Sequence, residues 1–170
     1  MTADLRYIDA IRESLDEALA ADPAVCLLGE DITLGGPFGA TRGLAERYGE
    51  DRVRNTPISE ATIMGLAIGA AMAGRRPVLE IMFIDFITLA MDQLVNHAAK
   101  LRYMSGGQHS VPLTIRVQGG AAGGMGAHHS QSLEAWFAHV PGLTVVAPSD
   151  PADARGLLAS AIRADDPVIF

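Results

Sequence analysis

The sequence predicts a doubly wound α/β domain, in which a mostly parallel sheet of about six strands carries helices on both faces. Short, continuously apolar runs such as residues 143–146 alternate along the chain with segments of helical periodicity. That alternation is typical of strands buried on both faces of a parallel sheet. The chain has 170 residues, of which 49% are hydrophobic and 19% charged, which is enough for one domain with its own core.

The first helix is predicted from Ile8, Ile11, Leu15 and Leu19, which recur at three- and four-residue steps, and Pro23 ends it. Strands are predicted over residues 25–28, 52–55, 77–82, 113–117, 143–147 and 168–170. In such sheets, ligands bind beyond the carboxyl ends of the strands. The segments in which we expect function are residues 29–38, 56–60, 82–86 and those after Val117.

Two helix starts have candidate capping hydroxyls, because Ser59 precedes Glu60 and Ser149 precedes Asp150 and a proline. The apolar segment 61–74 is shorter than the roughly 18 to 20 residues that a membrane span requires. We therefore interpret it as a buried helix.

Charge and composition exclude several classes of function. Lys and Arg number 13 against 20 Asp and Glu, and the net charge of −7 argues against nucleic acid as a partner. Residues 1–11 contain no apolar signal segment, so we expect a cytoplasmic protein without a membrane partner. A P-loop, a dinucleotide fingerprint and a G-x-S-x-G motif are all missing from the sequence.

The segment from Val117 to Leu133 is a candidate functional loop. It contains no Asp, Glu, Lys or Arg, includes five glycines, and ends near His129. Long loops in compact domains are usually functional or disordered, and glycine allows a close approach to a ligand. A histidine there suits proton transfer near neutral pH. The alternative is a mobile, solvent-facing loop with a solvated histidine.

Glu60 is an acidic residue in apolar surroundings, since Ile63, Met64 and Leu66 follow it. One interpretation is a helix cap, for which the helix dipole contributes about 0.3 to 1 kcal/mol. The other is a functional acid, because burial can raise a carboxyl pKa by up to about 3 to 5 units. A buried Glu60 would then hold a proton and exchange it with a heteroaromatic nitrogen.

Four further residues have two interpretations each. Asp92 lies in an apolar stretch on a predicted long helix, either as a buried carboxylate or on an exposed face. Met82, Ile84 and Phe86 follow one another at strand spacing, which usually indicates core residues. Their place at the carboxyl end of a strand makes them candidate pocket walls.

Residues 55–60 (NTPISE), 65–74 (GLAIGAAMAG) and 80–86 (EIMFIDF) resemble, in order, segments of the β subunit of the E1 component of 2-oxo acid dehydrogenases. The likeness continues through residues 98–107 and 129–143 and so covers nearly the whole chain. The resemblance implies that residues 1–170 form a transketolase-like pyrimidine-binding domain for thiamine diphosphate.

The resemblance also implies roles for individual residues. Glu60 is similar to the glutamate that bonds N1′ of the cofactor's aminopyrimidine, and His129 to a histidine of substrate binding and acyl transfer. Glu30 and Asp92 resemble acidic residues that relay protons between paired active sites. The implied cofactor contacts are Ile58, Met82 and Phe86, and the implied potassium ligands are Leu113, Ala161 and Asp166.

The family's partners follow from the same resemblance. The Gly-Asp-Gly motif that holds Mg²⁺ and the diphosphate is missing here, so an α subunit is expected to supply it in an α2β2 heterotetramer. An E2 lipoyl acyltransferase is expected to accept the acyl group. The family's C-terminal domain, beyond the position of Phe170, is expected to be absent. We expect an acetyl-transferring pyruvate dehydrogenase that is active only with its α subunit; the alternatives are an acetoin dehydrogenase and a truncated, non-catalytic oligomerisation module.

Overall fold

The computed structural model describes residues 5–121 and 124–170. Its strands are β1 (Val25–Gly29), β2 (Val53–Asn55), β3 (Arg76–Ile81), β4 (Thr114–Val117), β5 (Thr144–Val145) and β6 (Val168–Ile169). They form one sheet in the order β2-β1-β3-β4-β6-β5, and every pairing is parallel. The predicted α/β class is confirmed, and each predicted strand overlaps an observed one.

Helices cover both faces of the sheet. They are α1 (Tyr7–Ala21), α2 (Leu44–Tyr48), α3 (Glu60–Met72), α4 (Ile84–Ile87), α5 (Ala99–Met104), α6 (Glu134–Ala138) and α7 (Pro151–Arg163). One core contains residues of α1, α2 and α7, and the other contains residues of α3, α4 and α6. Within the described ranges, no helix is both long enough and apolar enough to cross a membrane.

Neighbouring strand residues explain the continuous apolar runs. In β1, Leu27 packs in the core with α1 while Leu28 packs in the core with α3, and Val78 and Leu79 of β3 divide in the same way. Successive side chains of a strand point to opposite faces of the sheet. Because both faces are covered, both sets of side chains must be apolar.

The helical segment between β3 and β4 is less regular than predicted around Asp92. It runs through α4, a 3-10 turn (Thr88–Ala90), a π-helical turn (Gln93–Ala98) and α5. Both turns pack against α3. Asp92 therefore lies on a long helical segment, as predicted, but the helical pitch changes along it.

The predicted helix in the apolar segment 61–74 is confirmed as α3, but it is buried on one face only. Met64 and Ala67 are fully buried, whereas Leu66 is 52% and Met72 44% exposed. The buried face packs into the core that also contains residues of the sheet. The opposite face is exposed in the described chain, because only one side of the helix can meet the sheet.

The two predicted hydroxyl caps are wrong. Ser59 stands at the N-cap of α3, but its hydroxyl donates to Oγ1 of Thr62 at 2.8 Å and caps no backbone N–H. At α7, the cap is Asp150, which accepts from the backbone N–H of Asp153 at 2.8 Å. Pro151 is the first helical residue, so the residue directly before it takes the N-cap position instead of Ser149.

Gly142 packs directly on the backbone of α5. A Cβ atom there would lie 2.0 Å from the Ala99 carbonyl oxygen, and its φ is +97°. We expect Gly142→Ala to lower the free energy of unfolding by about 2 to 3 kcal/mol, measured by urea denaturation. Gly74→Ala is the control, because Gly74 has a φ of +89° and a Cβ added there would have no atom within 4 Å. Equal losses in the two variants would contradict the steric argument.

Candidate functional site

The loops that follow β1, β2, β3 and β4 meet at the carboxyl edge of the sheet. The backbone N–H of Thr56, after β2, donates to the carbonyl of Gly29, at the end of β1, at 2.9 Å. The N–H of Ile84, after β3, donates to the carbonyl of Gln118, after β4, at 2.8 Å. The segments that the sequence selected for function therefore form one continuous surface.

Two carboxylates lie at the β1–β2 side of this edge. Glu60 is the first residue of α3 and is 8% exposed. Within residues 5–121 and 124–170, no side chain or backbone N–H donates a hydrogen bond to its carboxylate. Glu30 follows β1 and is half-buried; burial, then the charges of Glu60 and Asp31, raise the pKa of the Glu30 carboxyl. The pair therefore takes up a proton at Glu30 more readily than a free glutamate does.

Glu30→Gln is expected to raise the free energy of unfolding at pH 8, because the wild type must then hold a charged carboxylate beside Glu60. The folded pKa of Glu30 is raised, so its contribution to stability is complete below the unfolded value of about 4.3 and is lost as pH rises through the folded value. The gain from glutamine should shrink toward pH 4. Urea unfolding across this range measures it, with exposed Glu50→Gln as control; a gain independent of pH would contradict it.

An aromatic cluster lies on the β3–β4 side of the edge. The ring of His129 is half-buried, with its centroid 4.8 Å from that of Phe83 and 5.2 Å from that of Phe86. Phe83 also lies 5.9 Å from Phe38, and all these rings meet edge to face. Such contacts are the favoured geometry for aromatic pairs. The imidazole therefore lies against a wall formed by two phenylalanines.

Phe83, the centre of this wall, was not predicted. Strand spacing selected Met82, Ile84 and Phe86, but β3 ends at Ile81 and α4 begins at Ile84. Positions i and i+3 share a face in helical geometry, so Phe83 lies beside Phe86. Ile84 turns into the core at 1% exposure, while Met82 and Phe86 are half-buried. Sequence reasoning did not place the change from strand to helix before Phe83, and that change is what brings Phe83 beside Phe86.

A buried ion pair joins β3 and β4 and was not predicted from the sequence. Glu80 of β3 and Arg116 of β4 are direct cross-strand neighbours, and Nε of Arg116 donates to Oε2 of Glu80 at 2.6 Å. A second bond joins Nη2 of Arg116 to Oε1 of Glu80, and both side chains are 8% exposed. Burial raises the pKa of Glu80, and Arg116 opposes that rise. On the other side, a Cβ at Gly29 would lie 2.6 Å from Cβ of Glu80, so only glycine fits there.

Two predicted site residues lie at the surface. The Asp92 side chain is 63% exposed and accepts from Nδ2 of Asn96 at 2.8 Å. In the described part of the chain no hydrogen bond connects it with Glu30 or Glu60, so its place in a proton relay stays a prediction. Ile58 is 81% exposed and lies between β2 and α3, where a ligand or another chain can reach it.

The predicted potassium ligands are engaged within the fold. The carbonyl of Leu113 accepts from the N–H of Val168 at 2.9 Å, and that of Ala161 accepts from the N–H of Ala164 at 3.1 Å. The carboxylate of Asp166 accepts from Arg102 at 2.8 Å. A carbonyl oxygen with one donor keeps a second lone pair, so the potassium site stays a prediction.

The fold and the carboxyl-edge site define the class of protein. Residues 3–170 match the family described as "Transketolase, pyrimidine binding domain", and the chain belongs to that family. Among solved structures, it is similar to "Split gene transketolase, inactive beta4 tetramer", with a TM-score of 0.73 and 21% identity over 98% of this chain and 51% of that one. This likeness shows the fold.

Curated relatives narrow the class to E1 β subunits. The chain is 50% identical to the mitochondrial pyruvate dehydrogenase E1 component subunit beta-2 of Oryza sativa subsp. japonica, over 95% of this chain and 43% of the relative. It is 48% identical to the 2-oxoisovalerate dehydrogenase subunit beta of Bacillus subtilis (strain 168), over 98% of this chain and 51% of the relative. The predicted E1 β-type pyrimidine-binding domain is confirmed; the chain spans about half the length of these relatives.

Proposed function

We propose that this chain forms the aminopyrimidine side of a thiamine diphosphate site in the E1 component of a 2-oxo acid dehydrogenase. The subunit works with an α subunit in an α2β2 heterotetramer. The assembled enzyme decarboxylates pyruvate and passes the acyl group to the lipoyl groups of an E2 acyltransferase.

Glu60 is the observation that carries this proposal. Glu60 is only 8% exposed, and none of the described residues donates a hydrogen bond to its carboxylate, which stays open to a ligand. Its open acceptor fits a ring nitrogen that carries a proton, such as N1′ of the aminopyrimidine. When bound, the cofactor would supply a thiazolium ring that accepts the electron pair left by decarboxylation. Glu60 holds the proton at the ring nitrogen, and the neighbouring Glu30 takes up a proton readily.

The aromatic wall has a second task in this proposal. Phe83 and Phe86 pack edge to face against His129 and exclude water from that side of its ring. An imidazole so placed can donate to a substrate carboxylate or carbonyl and accept a proton during acyl transfer. Met82, which is half-buried at the same loop, contributes apolar surface for the aminopyrimidine.

The partner subunits are assigned from the chemistry that this chain lacks and from its open face. No Gly-Asp-Gly sequence is present, so we assign Mg²⁺ and the diphosphate to the α subunit. Helix α3 presents Gly65, Leu66, Gly69 and Met72 to the outside. Small residues allow close helix packing, and exposed apolar side chains are typical of subunit interfaces. We therefore place subunit contacts on this face.

Pyruvate is the proposed substrate because several of the similar relatives are named pyruvate dehydrogenase subunits. 2-Oxoisovalerate is the second candidate, since relatives of that name are about equally similar. Comparing kcat/KM for the two 2-oxo acids and for acetoin distinguishes the choices. We expect the largest value for pyruvate; a larger value for a branched or an acetoin substrate would overturn this assignment.

Native mass spectrometry of the protein, purified gently from its own cells, tests the proposed assembly. We expect an α-type chain and thiamine diphosphate to accompany it in an α2β2 mass. A homo-oligomer that contains no cofactor, even after thiamine diphosphate and Mg²⁺ are added, would overturn the proposal. That result would favour the non-catalytic oligomerisation module.

A further inference from the structure

Asp85 is a buried carboxylate that depends on one partner residue. It lies in α4 and is 5% exposed. Its Oδ1 accepts from Nε2 of Gln131 at 2.7 Å and from the backbone N–H of Gln131 at 3.4 Å. Its Oδ2 is buried without a partner in the described residues. Among the described residues, Gln131 therefore supplies both hydrogen bonds that this carboxylate accepts, across 46 residues of sequence.

Gln131 in turn closes the loop that follows β4. Its carbonyl accepts from the N–H of Gly120 at 2.8 Å, at the start of that loop. The loop start is also tied to α4, because the N–H of Ile84 donates to the carbonyl of Gln118 at 2.8 Å. Both ends of the loop are thus fastened to the segment that follows β3, one of them through Asp85.

His129 stands two residues before Gln131, and its backbone N–H donates to the carbonyl of Gly126 at 3.2 Å. In the part of the chain that the structure describes, its imidazole makes no hydrogen bond, and its ring meets those of Phe83 and Phe86 edge to face. Ring contacts allow sliding, whereas a charge-assisted hydrogen bond is directional. The two phenylalanines lie on either side of Asp85 in the sequence, so one short segment carries the wall and the anchor.

We infer that Asp85 is a positioning residue for His129: through its two bonds to Gln131, it holds the histidine loop at the aromatic wall. The catalytic meaning of this inference rests on the proposed function. The geometric part, a histidine whose environment depends on Asp85, holds for the folded protein independently of activity.

The geometric part is tested by modification with diethyl pyrocarbonate in the complete subunit with its partner chains. Peptide mass spectrometry compares the rate at His129 with that at the adjacent, exposed His128, which is an internal standard. We expect Asp85→Ala to raise the His129 rate several-fold, toward that of His128. Asp85→Asn should stay close to wild type, because its amide oxygen still accepts from Gln131. If Asp85→Ala fails to fold, Gln131→Ala removes the shorter of the two bonds, the one from Nε2, at an exposed position and keeps the backbone N–H.

The catalytic part is tested by a double-mutant cycle. Asp85→Ala is expected to lower kcat about 10- to 100-fold, as a displaced catalytic group does, with rescue by Asp85→Asn. In the His129→Ala background, Asp85→Ala should lower kcat only a little further. The control is Asp51→Ala, at a fully exposed aspartate.

The positioning role of Asp85 and the proposed function are overturned by different results. An unchanged His129 labelling rate in both Asp85→Ala and Gln131→Ala would overturn the anchor. Losses of kcat that multiply with those of His129→Ala would show that Asp85 acts by another route and would also overturn it. A wild-type protein without decarboxylase activity would overturn the proposed function, while the labelling rates would still decide the anchor.

Discussion

Glu60→Gln is expected to lower the rate of 2-oxo acid decarboxylation more than about 100-fold while leaving the assembly intact. Glutamine has nearly the same shape, but it cannot hold and return a proton at a ring nitrogen, and general acid–base catalysis contributes about 100- to 10,000-fold. Glu60 is buried, and no donor from the described residues competes for its carboxylate. Release of CO₂ from pyruvate measures the effect.

Two controls separate chemistry from folding in this experiment. The mass of the assembly and the circular dichroism spectrum should be unchanged in Glu60→Gln. Glutamine fills nearly the same volume as glutamate at the start of α3. Exposed Glu46→Gln, at the first turn of α2, should leave the rate near that of the wild type. An unchanged rate in Glu60→Gln would overturn the catalytic role of Glu60. Its role would then be limited to the start of helix α3.

Arg116→Met is expected to lower the free energy of unfolding by about 3 to 5 kcal/mol, because it leaves Glu80 buried without its partner. Both hydrogen bonds of the pair are lost at once. The charged form of Glu80 is then buried without a positive partner, which is unfavourable. The double variant with Glu80→Leu should regain most of this loss, since apolar pairs often replace buried ion pairs without cost. Urea denaturation measures all three proteins.

Arg155→Met is the matched control for this prediction. Arg155 pairs with Glu13 and Glu17 at the surface, with side chains that are 42% to 57% exposed. Exposed pairs contribute about 0 to 1 kcal/mol, so this change should be small. If the Glu80→Leu/Arg116→Met protein is as unstable as Arg116→Met, the cost does not come from an unpaired buried charge.

The sequence alone determined the features that depend on neighbours along the chain. Apolar runs and helical periodicity predicted all six strands of the sheet and its class. The topology rule for parallel sheets placed function at the carboxyl edge, where Glu60, Phe86 and His129 lie. Motif resemblance selected the same three residues, because the residues that carry the likeness lie within short continuous stretches such as residues 55–60.

The tertiary structure decided what depends on register and packing. The Glu80–Arg116 pair spans 36 residues and the Asp85–Gln131 pair 46, and neither can be inferred before the strands are aligned. The position of Phe83 in the wall depends on where β3 gives way to α4. These features come from contacts between segments far apart in sequence, whose geometry is set when the sheet and its helices pack together; local periodicity carries no information about them.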